Sequence, residues 1–453
     1  MTKTSSQMNR HSIASTFAAI SLLLLLTTSC KKNDHPHHGG SPSHPADVLD
    51  KWMTLQLRLM RNATGIPNQA FSRHFAYSGV AALEALTPDL PGRARWTPKW
   101  NGVTGLPSPE RFKKYHTPAS VNAAMATINR AMFTNASVAD KAAIDSLEGA
   151  IKQQFISQKA SVIAASESFG KAVANAVYNW SETDGYKYAN TPYTVPAGPG
   201  LWKPTAPAFS APATPFWGQN RTLISGSIAG AQPAAPPAYS TDPTSAFYQM
   251  VKEVYDASQV LTDDQKAMAI FWRDVPGATS PGHWLSILQQ VVRQDKAPLH
   301  KAALAYALTG IAINDALIAC FKTKYQHNLV RPITYIREVM GHAAWNSFIG
   351  TPAHPEYVSA HSSLSAAAAA VLEKLFGNCG SFTDHTYDYL ALTSRSYPSY
   401  TAIGDEAGKS RLYGGIHYTV SINAGLVQGR KVAENIFKCA HGVSEMFEAY
   451  GGK

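Results

Sequence analysis

The stretch LHKAALAYALTGIAINDALIACFKTKYQHNLVRPITYIREVM occupies residues 299–340. Its apolar and small residues recur at helical spacing, which predicts a helix over 299–321 and a shorter one over 334–340. Arg331 and Pro332 lie between the two, and proline suits the start of a new element because it lacks a backbone N–H. A half-buried strand would need alternating polar and apolar residues, which this stretch lacks. It therefore indicates a helical fold.

Helical patterns continue on both sides of this stretch. Further helices are predicted over residues 50–60, 71–86, 121–132, 138–180, 284–293, 363–376 and 416–437. Residues 262–265, TDDQ, have the form of a capping box that opens another helix through Trp272. Residues 202–243 are instead crowded with proline, small residues and aromatics, which predicts a long ordered Pro/Trp-rich loop packed over the helices. We expect an all-α protein with one main core.

The N-terminal segment has the form of a secretory signal. Lys3 and Arg10 precede an apolar run, residues 20–26, and small residues follow before Cys30. This pattern resembles a bacterial lipobox, which implies cleavage before Cys30 and lipidation of its thiol. A plain signal peptide with a chance cysteine is the alternative. We expect a lipoprotein-type signal peptide over 1–29 and an exported lipoprotein of the bacterial cell envelope, on the periplasmic face or the outer-membrane surface.

The remainder of the chain divides into a tether, one domain and a tail. Residues 30–46 are rich in His, Pro, Gly and Ser, which favours a flexible tether over a metal site. A single all-helical catalytic domain is expected over 47–443, with its functional half at 246–440 and a tail over 444–453. No stretch after the signal is expected to hold the roughly 18 to 20 apolar residues that a spanning helix needs.

Composition and cysteine content narrow the possible partners. The formal net charge is +10, which favours attraction to anions. There is no long Lys/Arg run and no long basic stripe interleaved with aromatics, so nucleic-acid binding is not expected. The cysteines beyond Cys30 show no metal spacing. The exported compartment permits a disulfide, and Cys379 with Cys439 is the expected pair.

Several polar residues in the second half of the chain suit an oxyanion. Lys324 and Arg331 are seven residues apart, so they would share a helical face if that helix persists. Ser359 precedes a helix start, where free N–H groups and the helix dipole favour an anion. Arg411 and His417 flank a glycine pair that permits a sharp bend. Each alone has a structural explanation, as a solvated charge, a helix cap or a core histidine, but their combination indicates one anion site.

This order and spacing resemble those of a known superfamily. The pattern K-x6-R-P, P-x3-S-G-H and S-R-x5-H is typical of vanadium haloperoxidases and type 2 phosphatidic acid phosphatases, and it corresponds here to residues 324–332, 355–361 and 410–417. Other stretches are similar to the soluble bacterial haloperoxidase-like branch: GPGLWKPT at 198–205, FWRD at 271–274 and PGHW at 281–284. The resemblance covers roughly residues 71–440 and implies a helical bundle of the haloperoxidase/acid phosphatase type.

The resemblance also implies which residues would hold the anion. Lys324, Arg331 and Arg411 would bind its equatorial oxygens, because ammonium and guanidinium groups donate charge-assisted hydrogen bonds. Ser359 and the backbone N–H of Ala360 would be further donors.

Two histidines would carry the chemistry that the resemblance implies. His361 would be the acid/base. His417 would be the axial ligand of vanadium, bound as vanadate, in a haloperoxidase that oxidises halide with hydrogen peroxide. In a phosphatase without a cofactor, His417 would instead attack a phosphate monoester or lipid phosphate and form a phosphohistidine. We favour the haloperoxidase, because the chain is large, has no expected membrane spans and contains the Pro/Trp-rich loop.

The sequence departs from the family pattern at two positions. Ala360 replaces the usual glycine, and its methyl group would tighten the pocket. Ser421 stands four residues after His417, where the family has an aspartate that would fix the histidine tautomer. We expect Ser421→Asp to raise the basicity of His417. The missing carboxylate leaves open a third possibility, a non-catalytic surface lipoprotein with a degenerate site.

Overall fold

The computed structural model describes residues 44–90 and 100–439, and within them the chain forms thirteen α-helices. They are α1 (Asp47–Asn62), α2 (Ala70–Glu84), α3 (Thr117–Met132), α4 (Val138–Gln153), α5 (Ala160–Ser181), α6 (Ala246–Gln259), α7 (Asp263–Phe271), α8 (Ser280–Gln294), α9 (Leu299–His327), α10 (Pro332–Glu338), α11 (Ala360–Phe376), α12 (Tyr400–Tyr413) and α13 (Thr419–Cys439). Two three-residue strands, β1 (Phe382–Asp384) and β2 (Arg395–Tyr397), pair antiparallel with Phe382 opposite Tyr397. The prediction of a mainly helical fold is confirmed.

The long helix α9 lies at the centre of the bundle, against α2, α8, α11 and α13. Glycines allow its backbone to approach α2 very closely. A Cβ at Gly79 would lie 2.7 Å from the Cα of Ala307, and one at Gly310 would lie 2.7 Å from the Cα of Ala76. Any larger side chain at either glycine would therefore push the two helices apart.

Helix α9 corrects the expectation that no later stretch is apolar enough to cross a membrane. Over 18 residues its mean hydropathy reaches 1.7, and that whole window is buried inside the protein. A helix that is apolar all round is buried either in a protein core or in a bilayer. The packing of α9 is that of a core helix.

A second close helix pair, α11 and α13, positions the candidate site. A Cβ at Gly425 would lie 2.7 Å from the carbonyl oxygen of Ser359, and one at Gly429 would lie 2.0 Å from that of Ser363. The small residues at helical spacing in α13 thus serve close backbone packing. This packing fixes the start of α11 beside the start of α13.

Three details of the predicted helices are wrong. The single helix expected over 138–180 is interrupted, and α4 and α5 are joined by turns over 154–159. The expected common helix for Lys324 and Arg331 also ends early. Asn328 adopts a left-handed conformation with φ +45°, which terminates α9, and Arg331 becomes the N-cap of α10. Helices α6 and α12 were not predicted.

The Pro/Trp-rich segment, residues 202–243, is an ordered loop without α-helix, as predicted. Its Trp202 and Trp217 side chains are fully buried. The loop is fastened to α9 by Asp315, whose carboxylate accepts hydrogen bonds from Leu223 N at 2.9 Å and Ser227 Oγ at 2.7 Å. Burial raises the pKa of Asp315 to about 6, although these donors favour its ionised form.

The disulfide expected between Cys379 and Cys439 is absent, because the three cysteines in the described ranges are all free. Cys379 follows α11, whereas Cys439 ends α13 near Gly226. The segments predicted as signal peptide (1–29) and tail (444–453), together with Cys30 and most of the predicted tether (30–46), lie outside the described residues.

Candidate active site

The site is built around the loop of residues 355–358, whose backbone is bound by Lys324. Lys324 lies in the last turn of α9 and is fully buried. Its ammonium donates to the carbonyl oxygens of Pro355 at 3.0 Å, Glu356 at 2.9 Å and Val358 at 2.5 Å. All three donors of Lys324 are therefore directed at the loop. To bind an anion directly, the ammonium would have to exchange one of these contacts.

Ser359 ends this loop and caps α11. Its Oγ accepts a hydrogen bond from the backbone N–H of Ser362 at 3.3 Å, so its own O–H proton is left for another acceptor. Ala360 is the first residue of α11. The first amides of a helix have no partner within the helix, and together with the helix dipole they favour an anion.

Arg331 is fully buried and contacts both the residue before this loop and the segment before α13. Its Nε donates to the carbonyl oxygen of His354 at 2.9 Å, and one terminal nitrogen donates to that of Ile416 at 2.8 Å. The same nitrogen lies 3.3 Å from His417 Nε2, and the other lies 3.0 Å from His354 Nδ1. Arg331 is thus held rigidly beside His417.

The tautomer of His417 is set by a buried carboxylate. His417 Nδ1 lies 2.7 Å from Glu356 Oε1, and Glu356 is fully buried. A carboxylate can only accept, so Nδ1 carries the proton and Nε2 keeps a bare lone pair. Glu356 also accepts from Tyr418 N at 3.0 Å and from the hydroxyl of Ser421. Burial, with the nearby charge of Arg331, lowers the pKa of His417 well below its usual value.

Glu356 is the residue that sequence reasoning missed. The carboxylate that Ser421 fails to provide on α13 comes instead from the loop before α11, and Ser421 donates a hydrogen bond to it. From this geometry we expect, in contrast to the sequence-based expectation, that Ser421→Asp would not strengthen His417, because a second carboxylate would face Glu356. Glu356 lies within the quoted 355–361 stretch, but its pairing joins residues 61 positions apart.

Arg411 and His361 form the opposite side of the site. Arg411 lies in the last turn of α12 and is 1% exposed. One of its terminal nitrogens is 3.3 Å from His361 Nε2, and the other donates to the carbonyl oxygen of Ala269 at 3.3 Å. Its Nε donates to Ser410 Oγ at 3.1 Å, so the Ser-Arg pair of the motif is a local hydrogen-bonded unit.

His361 is linked to residues outside the motif. Its Nε2 lies 2.8 Å from Ser280 Oγ and 2.9 Å from the carbonyl oxygen of Trp272. Ser280 donates to Asp274 Oδ1 at 2.9 Å, and this carboxylate oxygen is 3.8 Å from His361 Nε2. The Trp272 carbonyl can only accept, and Ser280 Oγ, whose proton goes to Asp274, accepts as well, so these two shorter contacts favour a proton on Nε2 of His361. With that proton in place, the Arg411 nitrogen at 3.3 Å cannot donate to Nε2. Burial, with the charge of Arg411, lowers the pKa of His361 well below its usual value.

One cavity of about 340 Å³ joins the two histidines. His361, His417, His354 and Ala360 line it, and Leu317, Phe321, Leu364 and Ile416 supply apolar wall. Arg331 and Arg411 each contact one of the lining histidines, and Lys324 and Ser359 join through the loop. The structure thus brings all of the motif residues to one place.

The buried charge of this region suits an anion. Burial lowers the pKa of both Arg331 and Arg411 to about 10, which reflects the cost of placing cations away from water. Burial likewise lowers the pKa of Lys324 and raises that of Glu356. A tetrahedral oxyanion would bring opposite charge to these groups and offer acceptors to their donors. The donor set therefore fits vanadate or phosphate.

Comparisons with known proteins identify the fold. Residues 304–445 match the family model for the second helical-bundle domain of VCPO. The crystal structure of a bacterial vanadium-dependent iodoperoxidase is 31% identical, covering 88% of this chain and 97% of that one with a TM-score of 0.77. Holo and apo bacterial vanadium-dependent chloroperoxidases are 16% and 18% identical, cover 84% and 83% of this chain and 93% and 94% of theirs, and both have TM-scores of 0.63. Comparison with curated proteins gave no significant match.

The fold defines an all-helical enzyme, and its buried site has donors that fit an oxyanion. The chain belongs to the vanadium haloperoxidase family, whose members are peroxidase-type enzymes.

Proposed function

We propose that the protein is a vanadium-dependent haloperoxidase, which oxidises halide with hydrogen peroxide at a vanadate held in the cavity. The observation that carries this proposal is His417. Its Nδ1 proton is committed to Glu356, and its Nε2 lone pair lies beside the buried guanidinium of Arg331. A ligand nitrogen with a fixed tautomer beside fixed cations is the arrangement that an anionic metal oxide requires.

Each remaining residue has a place in holding the anion. His417 Nε2 would bind vanadium, and the guanidinium groups of Arg331 and Arg411 would donate to the oxygens. The Ser359 hydroxyl and the Ala360 N–H would complete the set. Bound vanadate supplies a Lewis-acidic centre that activates hydrogen peroxide toward halide.

Lys324 acts mainly through the loop. Its three contacts with the carbonyl oxygens of residues 355, 356 and 358 hold the segment that presents Ser359. Its charge would also favour the anion over short distance.

His361 is suited to moving protons during turnover. It is neutral near pH 7 because its pKa is strongly lowered, and its ring borders the cavity. Ser280, the Trp272 carbonyl and Arg411 all contact its Nε2, and Asp274 holds Ser280 in place. A neutral histidine held in this way can give and regain a proton at a bound oxygen.

The two other functions that the sequence left open are less well supported. A phosphatase would use the same His417, but the matched structures are named as haloperoxidases. The non-catalytic lipoprotein rested on Ser421, and Glu356 supplies the carboxylate that Ser421 lacks.

The test is an assay of the purified protein with orthovanadate, hydrogen peroxide and iodide, bromide or chloride. The likeness to an iodoperoxidase makes iodide the first halide to try. A parallel arm measures phosphate-ester hydrolysis without vanadate. Vanadate-dependent halide oxidation that is lost in His417→Ala, but kept in the surface control Lys266→Ala, supports the proposal. Hydrolysis without halide oxidation would favour the phosphatase, and neither activity would leave the non-catalytic lipoprotein.

We also propose that the protein is exported and anchored through a lipid on Cys30. The support is the sequence alone, a basic start and an apolar run that ends just before Cys30. Cell fractionation of Cys30→Ser tests it, because a variant that remains on the membrane as before would contradict lipidation at this residue.

A further inference from the structure

A basic turn with an exposed aromatic residue projects from the surface at residues 110–115. The side chain of Phe112 is 92% exposed, and its neighbours Arg111, Lys113 and Lys114 are exposed as well. The Arg111 guanidinium lies 5.5 Å from the centre of the Phe112 ring. Lys113 pairs with Glu110 at 2.8 Å, so the turn keeps two net positive charges, those of Arg111 and Lys114.

This turn is anchored by contacts within itself and with α5. The backbone N–H of Glu110 donates to the Tyr115 hydroxyl at 3.0 Å, which closes the turn. The Tyr115 ring packs on Phe169 of α5 with ring centres 5.5 Å apart. The N–H of His116 donates to Ser166 Oγ, also on α5, at 2.8 Å. The exposure of the aromatic tip is therefore a feature of an anchored loop.

A second exposed apolar side chain lies close to the foot of this turn. Ile156, in the connection between α4 and α5, is 82% exposed. Its neighbour Phe155 turns inward, and the Phe155 and His116 ring centres are 4.5 Å apart. Lys159 follows in the same connection and is exposed. Two exposed apolar side chains with cationic neighbours thus lie on segments that pack together through Phe155 and His116.

The part of the chain that the structure describes also begins beside this turn. The His44 ring lies 5.7 Å from the His116 ring, so the described chain begins beside the foot of the turn. Thirteen residues separate Cys30 from His44, and Lys31 and Lys32 are among them. A chain of that length reaches at most about 50 Å when fully extended. A lipid on Cys30 would therefore keep this side of the protein close to a bilayer.

We propose that the face formed by residues 110–115 and 156–159 docks on an anionic phospholipid bilayer. Phe112 and Ile156 would enter the interfacial region, where apolar side chains lose contact with water. Arg111, Lys114 and Lys159 would meet the negatively charged headgroups. A single phenylalanine on a projecting turn suits a soft, deformable surface better than a flat protein interface. The docking adds a second, reversible contact to the lipid anchor and does not depend on the oxyanion site.

Vesicle sedimentation tests the proposal. The chain from residue 31 onward, which lacks both the apolar signal run and the lipid-bearing cysteine, is mixed with phosphatidylglycerol/phosphatidylcholine vesicles or with pure phosphatidylcholine vesicles. We expect binding to the anionic vesicles that weakens with salt. Phe112→Ser should lower the partition coefficient roughly tenfold. Arg111→Gln and Lys114→Gln should each lower it roughly fivefold. The matched control is Val138→Ser, which removes another exposed side chain, 87% exposed, at the far end of α4 and should bind normally.

Equal binding to both vesicle types would overturn the proposal, and so would normal binding by Phe112→Ser. Such a face could instead bind a second copy of this chain, and sedimentation equilibrium without lipid measures whether the protein forms a dimer. A dimer that dissociates in Phe112→Ser would assign the surface to self-association and would also overturn the proposal. Thermal unfolding of each variant shows whether a loss of binding has a folding cause, and Phe112→Leu, which keeps the apolar tip, should retain most of the binding.

Discussion

Removing the charge of Glu356 while keeping its shape should weaken vanadate binding without unfolding the protein. Glu356→Gln can still accept from His417 and from the Tyr418 N–H, but as a neutral group. A hydrogen bond to a charged group contributes roughly 1.5 to 3 kcal/mol and a neutral one roughly 0.5 to 1.5 kcal/mol. The expected loss is therefore about 1 to 2 kcal/mol, or roughly five- to thirtyfold in vanadate affinity. Isothermal titration with orthovanadate measures this directly.

Ser421→Asp provides the opposite perturbation. It places a second carboxylate where the Ser421 hydroxyl now donates to Glu356. Two buried carboxylates in contact share one proton, so the charge beside His417 does not increase. We expect lower thermal stability and no gain in vanadate affinity. In the double variant Glu356→Gln/Ser421→Asp a single carboxylate remains, now on α13, and affinity should recover toward that of the unchanged protein.

The remote variant Asp140→Asn serves as control. Asp140 accepts from Arg58 and Asn62, so its loss should lower stability while vanadate affinity stays unchanged. The reasoning is refuted if Ser421→Asp alone tightens vanadate binding, or if Glu356→Gln binds vanadate as the unchanged protein does.

Three further predictions concern other parts of the molecule. His417→Ala should abolish tight vanadate binding, whereas His361→Ala should bind vanadate but lose turnover. Vanadate titration and a halide-oxidation assay of both variants distinguish these outcomes. Equal effects of the two substitutions would contradict separate roles for the histidines. Arg411→Ala should weaken vanadate binding by about one to two decades through loss of a charge-assisted contact, and unchanged affinity by titration would exclude that contact. The pKa of Asp315 is raised to about 6 in the folded protein, so its protonation contributes to the free energy of unfolding. This contribution is complete below about pH 4 and is lost as pH rises through 6. Between pH 4 and pH 7 the free energy of unfolding of Asp315→Asn should therefore rise by up to about 3 kcal/mol relative to that of the unchanged protein. Denaturant unfolding at both pH values would show this.

The sequence predicts most of the helices, because their apolar spacing is a local signal. It fails where tertiary contacts decide the local conformation. The helix expected over 138–180 is interrupted where Phe155 turns inward onto His116, and α9 ends at Asn328 before Arg331 is reached. Neither event leaves a strong breaker signal such as a proline.

The candidate site divides in the same way. Motif spacing predicts which residues gather, because their order follows a known pattern. It does not predict the partners that orient the two histidines. Glu356 is 61 positions from His417, and Trp272 is 89 positions from His361. These pairs depend on how α11, α13 and the segment after α7 come together, which no local pattern specifies.

The apolar character of α9 has a consequence for the export that we propose for this chain. An exported polypeptide passes a secretion channel that releases sufficiently apolar segments sideways into lipid, and α9 has a mean hydropathy of 1.7 over 18 residues. Asp315 lies near the middle of this helix and opposes such release, since an aspartate at the centre of an inserting helix costs about 2.5 to 3.5 kcal/mol. The carboxylate that fastens the Pro/Trp-rich loop in the folded protein would thus also keep the unfolded chain moving through the channel.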